Sequence, residues 1–159
     1  MNKVIINTDA QEPPSWSRNA IRFAGKVLDI LKYDRWELSV LFCGDKKIKA
    51  LNRQYRNKNE ATDILSFNLG ETVKKGKKET FLPGDIVISL DTLRKNAKYF
   101  KISQDEELRR LLIHGILHLS GMDHKTLKKN EPMLLLQEEI LRKLKDTIIP
   151  QEKISENPF

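Results

Sequence analysis

Three histidines, the only ones in the chain, fall within the eleven residues that read H-G-I-L-H-L-S-G-M-D-H from His114 to His124. On a helix His114 and His118 stand one turn apart and project from the same side, so two imidazole nitrogens can converge on one ion. Gly121 then permits the left-handed turn that ends a helix and swings His124 back toward the first two. Three neutral imidazoles at about 2.0–2.1 Å from Zn²⁺ leave the fourth tetrahedral position open, which is the catalytic rather than the structural arrangement. One Zn²⁺ per chain is expected. Nickel or iron also accept three imidazoles, and zinc is preferred as the commonest redox-inert occupant. The alternative is that these are core histidines bonded to backbone, on a helix that also carries Leu108, Leu111, Leu112, Leu117 and Leu119. That account suits a single histidine better than three at spacings of four and six.

A missing residue narrows the chemistry. The zinc-peptidase pattern H-E-x-x-H-x-x-G-x-x-H has the same spacing, but the place of its general-base glutamate is held here by Gly115. A peptidase would lack its base. Another acid must assist, or the metal alone must lower the pKa of water. Asp123 is the nearest candidate, either as a base or as a turn residue that orients a histidine.

The elements that must position these residues follow from periodicity. Val4 to Ile6 make a short apolar start. Ala20, Phe23, Ala24, Val27, Leu28 and Leu31 predict an amphipathic helix capped by Ser15 or Ser17. Trp36, Leu38, Val40 and Phe42 alternate as in a strand, and Asp45 is the expected cap of a second helix with Ile48, Leu51 and Tyr55. Ile64–Phe67 and Ile86–Leu90 predict two strands joined by a basic loop from Gly70 to Gly84. Asp91 opens a further helix. Ser103 and Glu106 form a capping box for the histidine helix, and a last helix runs from Glu131. The expected architecture is α+β: a single domain over residues 1–150, with a small mixed sheet of about four strands covered by helices. The metal site lies at the end of a central helix, and a polar tail spans 151–159.

Composition bounds the rest. The 159 residues carry 29 Lys+Arg against 22 Asp+Glu, a formal charge of +7, and suffice for one core. No window approaches the run of about 18 apolar residues needed to span a membrane, and Met1–Pro14 lacks the apolar stretch of a secretory signal. A cytoplasmic protein is expected. Cys43 is alone and sits in an apolar run, so it reads as core rather than as a nucleophile. The positive balance favours a polyanionic partner, since Lys and Arg displace counterions from phosphates, although Lys- and Glu-rich chains reach the same figure for other reasons. Arg53, Arg56 and Lys58, with Lys74–Lys78, are candidates to line a groove.

These residues together resemble the YbeY family of bacterial rRNA maturation factors, which are single-strand-specific, metal-dependent endoribonucleases. The family pattern H-G-x-L-H-L-x-G-x-D-H is matched at every fixed place. Leu51 to Phe67, L-N-R-Q-Y-R-N-K-N-E-A-T-D-I-L-S-F, is similar to the family's L-N-x-x-Y-R-x-K-D-x-P-T-D-V-L-S-F, and Gly84, Asp85 and Ile86 make a third match. Asn59, Ala61 and Asn68 depart from the usual Asp, Pro and Pro, all in loop positions. The resemblance implies that His114, His118 and His124 are zinc ligands and that Arg56 is a functional arginine facing the metal. It also implies single-stranded RNA, in particular rRNA at the 16S 3′ end, as substrate. Ribosome or small-subunit proteins are the implied partners, and neither a membrane nor a small-molecule cofactor is expected. An arginine suits that role because its planar fork stays charged and matches phosphate oxygens. The alternative is a non-catalytic, zinc-containing ribosome assembly factor. Such a closed site would need a fourth protein ligand, and Asp123 is too close in sequence to His124 to supply it comfortably.

Overall fold

Leu38, Val40 and Phe42 are fully buried while Glu37, Ser39 and Leu41 are not, so one strand face is sealed as the alternation predicts. The computed structural model describes residues 1–10 and 12–150. The element order is β1 (Lys3–Thr8), α1 (Ser17–Ile30), β2 (Glu37–Cys43), α2 (Asp45–Arg56) and β3 (Ile64–Lys75). Then follow β4 (Lys78–Ser89), α3 (Leu90–Phe100), α4 (Gln104–Leu119) and α5 (Pro132–Lys143). The four strands form one mixed sheet in the order β1-β2-β4-β3. β1, β2 and β4 are parallel, and β3 returns antiparallel to β4 at the edge. The chain is thus a single α+β domain, as expected; the anticipated tail at 151–159 lies outside the described residues.

The larger core lies between one sheet face and α1 with α4. Phe23, Val27 and Leu28 meet Leu38, Val40, Phe42, Ile86 and Ile88, with Leu108, Leu112, Ile113, Ile116 and Leu117 from α4. α4 is buried on most of its circumference, so it is the central helix. A smaller cluster of Cys43, Ile48, Leu65 and Val87 sits with Leu51 of α2 on the other face. Burial first, then the charge of Asp9, pushes the Cys43 thiol up to about 12, so it stays protonated and inert. Among the described residues no helix is long and apolar enough to cross a membrane.

Four local expectations are corrected. The segment Gly70–Gly84 is not a loop: β3 and β4 continue as a hairpin to Lys75 and Lys78, turning at Gly76 with φ 68°. Its Thr72↔Phe81 and Val73↔Thr80 pairs have strand-forming side chains, and Phe81 is held by a 2.7 Å bond to the Arg35 carbonyl and by the Trp36 ring. Asp45 is not a cap. Gly44 holds that position, while the Asp45 carboxylate accepts from Ser89 Oγ (2.7 Å), Thr92 Oγ1 and Lys95 Nζ (2.8 Å) across to α3. The helix expected from Asp91 starts one residue earlier, at Leu90, and Ser89 caps it by accepting from the Thr92 amide at 3.2 Å. Trp16, not a serine, precedes α1, and Ser17 Oγ donates back to the Pro14 carbonyl at 2.6 Å.

Candidate metal centre

α4 begins as the sequence predicts. Ser103 Oγ accepts from the Glu106 amide at 3.0 Å, and Asp105, Glu106 and Glu107 in the first turn complement the helix dipole. Its other end closes in a Schellman motif. The Met122 amide donates to the Leu117 carbonyl at 3.1 Å and the Gly121 amide to the His118 carbonyl at 3.0 Å. Gly121 stands at φ 100°, a conformation costly for any residue with a Cβ, and the partly buried Met122 packs back on the core. That reversal brings His124 to the other two histidines.

His114, His118 and His124 each offer a ring nitrogen, and these atoms all lie within 4.8 Å of one another. His118 Nε2 and His114 Nε2 are 3.1 Å apart, close to the ~3.3 Å that two nitrogens take when both bind one tetrahedral zinc at about 2.05 Å. The remaining nitrogens orient the rings. His114 Nδ1 lies 2.6 Å from Gln137 Oε1, and His124 Nδ1 lies 2.8 Å from the Thr126 carbonyl. Both acceptors require N–H at Nδ1, so the lone pair sits on Nε2, where a metal would take it. Burial, with the His124 charge, pushes the His114 pKa below the usual imidazole value. Burial and the His114 ring do the same to His118. The neutral, ligating forms are therefore favoured, and the donor set fits a borderline divalent ion such as zinc.

Gly115 explains the missing glutamate. A Cβ there would meet Ile86 Cδ1 at 2.8 Å and Ile64 Cδ1 at 3.0 Å, so this position faces the sheet rather than the histidines. Close approach of α4 to the Ile64 and Ile86 side chains favours glycine here, and a larger residue at 115 would point into the sheet.

Arg56 ends α2, and its Nη2 donates to the Ser66 carbonyl on β3 at 2.7 Å. Its Cζ lies 5.4 Å from the Phe67 ring centroid, and Tyr55 meets the same ring edge-on at 5.3 Å. β3 is also the strand whose Ile64 packs at Gly115, so Arg56 is anchored two residues along from the strand position that touches the histidine helix. Among the described residues no direct contact joins its guanidinium to an imidazole. Asp123 is exposed, and its Oδ1 accepts from the His124 amide at 2.8 Å. Its charge reaches His118, which it stabilises in the protonated form. The hairpin lysines do not share a groove with Arg53 and Arg56. Their turn begins eight residues before Ile86 along β4, an extended length of ~26 Å, and Lys75 is paired with Glu37 at 3.0 Å.

Two residues near the histidines went unread in the sequence. Gln137 is buried on α5 against His114, and Asp63 sends its charge to the same ring. The signal for Gln137 was a lone amide within the buried set Met133, Ile140 and Leu141.

Three convergent imidazoles at the end of a central helix, laid across a mixed sheet, make a site that could hold one metal ion, and the class of protein follows from its relatives. The family model for the endoribonuclease YbeY matches residues 3–145. A YbeY endoribonuclease of Treponema pallidum is 44% identical over 142 residues, covering 89% of each chain. That of Treponema denticola is 43% identical over 145 residues, covering 89% of this chain and 94% of its own. A solution structure from Thermotoga maritima superposes with a TM-score of 0.60 at 28% identity, covering 88% of this chain and 87% of that one. The chain belongs to the YbeY endoribonuclease family.

Proposed function

We propose that the chain hydrolyses phosphodiester bonds of single-stranded RNA in the cytoplasm, using one Zn²⁺ per chain. In this reading it matures the 16S rRNA 3′ end and takes part in ribosome quality control beside small-subunit proteins, with residues 1–150 as the catalytic unit. The observation that carries it is the convergence of His114, His118 and His124 within 4.8 Å, in a chain of this family. A divalent ion held there supplies Lewis-acid polarisation and acidifies water.

The chain's own residues supply the rest. Gln137 and the Thr126 carbonyl hold His114 and His124 in the tautomer that keeps Nε2 free. Arg56 presents a permanently charged fork to the scissile phosphate and stabilises charge as it develops there. Its bond to Ser66 and its place over Phe67 set its direction before substrate arrives. Asp123 accepts from the His124 amide, and its role in this reading is to orient that histidine or to move a proton from the nucleophile.

The test is incubation of the metal-loaded protein with a single-stranded RNA and its fully paired form. Cleavage of the first alone, abolished in His114→Ala and in Arg56→Ala, supports the reading. Equal cleavage of both, or cleavage that survives both substitutions, removes it. If the His114→Ala protein still supports rRNA maturation, the assembly-factor alternative stands instead.

A further inference from the structure

α2 carries five cations, Lys46, Lys47, Lys49, Arg53 and Arg56, and one acid, Asp45, which Ser89, Thr92 and Lys95 already occupy. At 100° per residue Lys46, Lys49, Arg53 and Arg56 fall within an arc of ~80°, on the side away from Ile48 and Leu51, which face the sheet. On other elements Lys26, Lys75, Lys95, Arg109, Arg110 and Lys143 each meet a carboxylate, while Arg18, Lys98 and Lys145 are among the described cations that do not. Among the described residues Lys46, Lys49 and Arg53 meet none. A shallow groove of about 740 Å³ runs beside them, floored by Ala50 and walled by Gln54 and Asn59.

We propose that the α2 stripe of Lys46, Lys49 and Arg53 is a phosphate track that binds the RNA flanking the cleavage point, leading it to Arg56. This rests on the endoribonuclease reading above. From Lys46 to Arg56 the helix rises ~15 Å, the length of four or five stacked nucleotides at ~3.4 Å each. The charges are complementary and repeat along the axis, as a phosphate backbone does. Ala50 keeps the floor low, and the Gln54 and Asn59 amides offer both donors and acceptors, so contact need not select a base. The stripe ends at Arg56, which is anchored through Ser66 to the strand packed on the histidine helix. Lys46, Lys49 and Arg53 therefore act as binding residues for long substrates and take no part in bond cleavage.

The test compares metal-loaded wild type, the triple variant Lys46→Gln, Lys49→Gln, Arg53→Gln, and a control of equal charge loss, Arg18→Gln, Lys98→Gln, Lys145→Gln. Each is assayed on single-stranded RNAs of about 20 and about 4 nucleotides between roughly 50 and 200 mM salt. The triple variant should raise KM for the long RNA about tenfold or more with kcat unchanged. Its slope of log(1/KM) against log salt should be shallower by ~2, at ~0.7 per lost contact on a single strand. Its cleavage of the short RNA should equal wild type, which also reports an intact fold, and the control should match wild type on both. A triple variant that behaves like the control overturns the track while leaving the endoribonuclease reading in place. A wild type that cleaves neither RNA overturns both.

Discussion

Gln137 Oε1 on α5 accepts a hydrogen bond from His114 Nδ1 on α4 at 2.6 Å, and the rest of its amide is fixed as well. Gln137 Nε2 donates to Glu138 Oε2 at 3.2 Å, and Glu138 receives Arg110 Nε and Nη2 at 3.0 Å each. Arg110 stands one turn before His114 on α4, so the four residues close a loop between the two helices. Burial alone would raise the Glu138 carboxyl, but the bonds from Arg110 and Gln137 hold it below its usual range. An ionised Glu138 orients the amide, and the amide then sets the imidazole tautomer.

Gln137→Ala should therefore weaken metal affinity by about 10- to 100-fold without removing a ligand. Competition with a chelator of known affinity measures this. Unchanged affinity would mean that His114 needs no help to present Nε2.

Gly84 stands at φ 138°, and a Cβ there would lie 1.9 Å from the Phe67 carbonyl. Gly84→Ala should cost about 3 kcal/mol or more in urea unfolding, because the backbone must leave an unfavourable region and β3 must part from β4. The same strain should lower activity, since Phe67 and Ser66 hold Arg56. A loss under about 1 kcal/mol would show that the strand pair relaxes freely.

The parts of this molecule governed by short spacings were legible in its sequence. The Ser103 cap, the helix it starts and the reversal at Gly121 depend on residues within a few positions of one another, and so does the histidine triad. Long-range partners decided the failures. The run Lys74 to Lys78 reads as a loop because it is polar, yet the hairpin persists since Arg35 and Trp36 hold Phe81. Asp45 is a plausible cap locally, but α3 brings Ser89, Thr92 and Lys95 to it. Gln137 could not be tied to His114 until α5 was seen to lie against α4. Arg56 stood out only through family resemblance, since its Ser66 anchor lies on another element.

Arg56→Lys should lower kcat about 10²-fold or more, because an ammonium cannot form two parallel bonds to a phosphate or lie flat on Phe67. Its stability should stay within about 0.5 kcal/mol of wild type, as the side chain is exposed. Steady-state cleavage and urea unfolding check the two halves. Near wild-type activity would reduce the role of Arg56 to that of a general positive charge.

The folded, metal-free protein holds His114 and His118 below the usual imidazole pKa, chiefly through burial. As pH falls through about 6.5, the unfolded chain takes up protons that the folded chain resists. Metal-free stability should therefore decline as pH drops from about 7.5 toward 5.5, and the double variant His114→Ala, His118→Ala should largely lose that slope. Urea midpoints across this range decide it. A flat profile in wild type would show that the two imidazoles titrate normally.

The central claim is that three histidines hold a metal that the reaction needs, and His118→Ala tests it most directly. Elemental analysis beside cleavage of a single-stranded RNA should give about one divalent ion per wild-type chain. The variant should hold almost none and lose about 10³-fold or more in rate. A variant that keeps the metal and the activity, or a fully active wild type that binds no metal, would contradict the account.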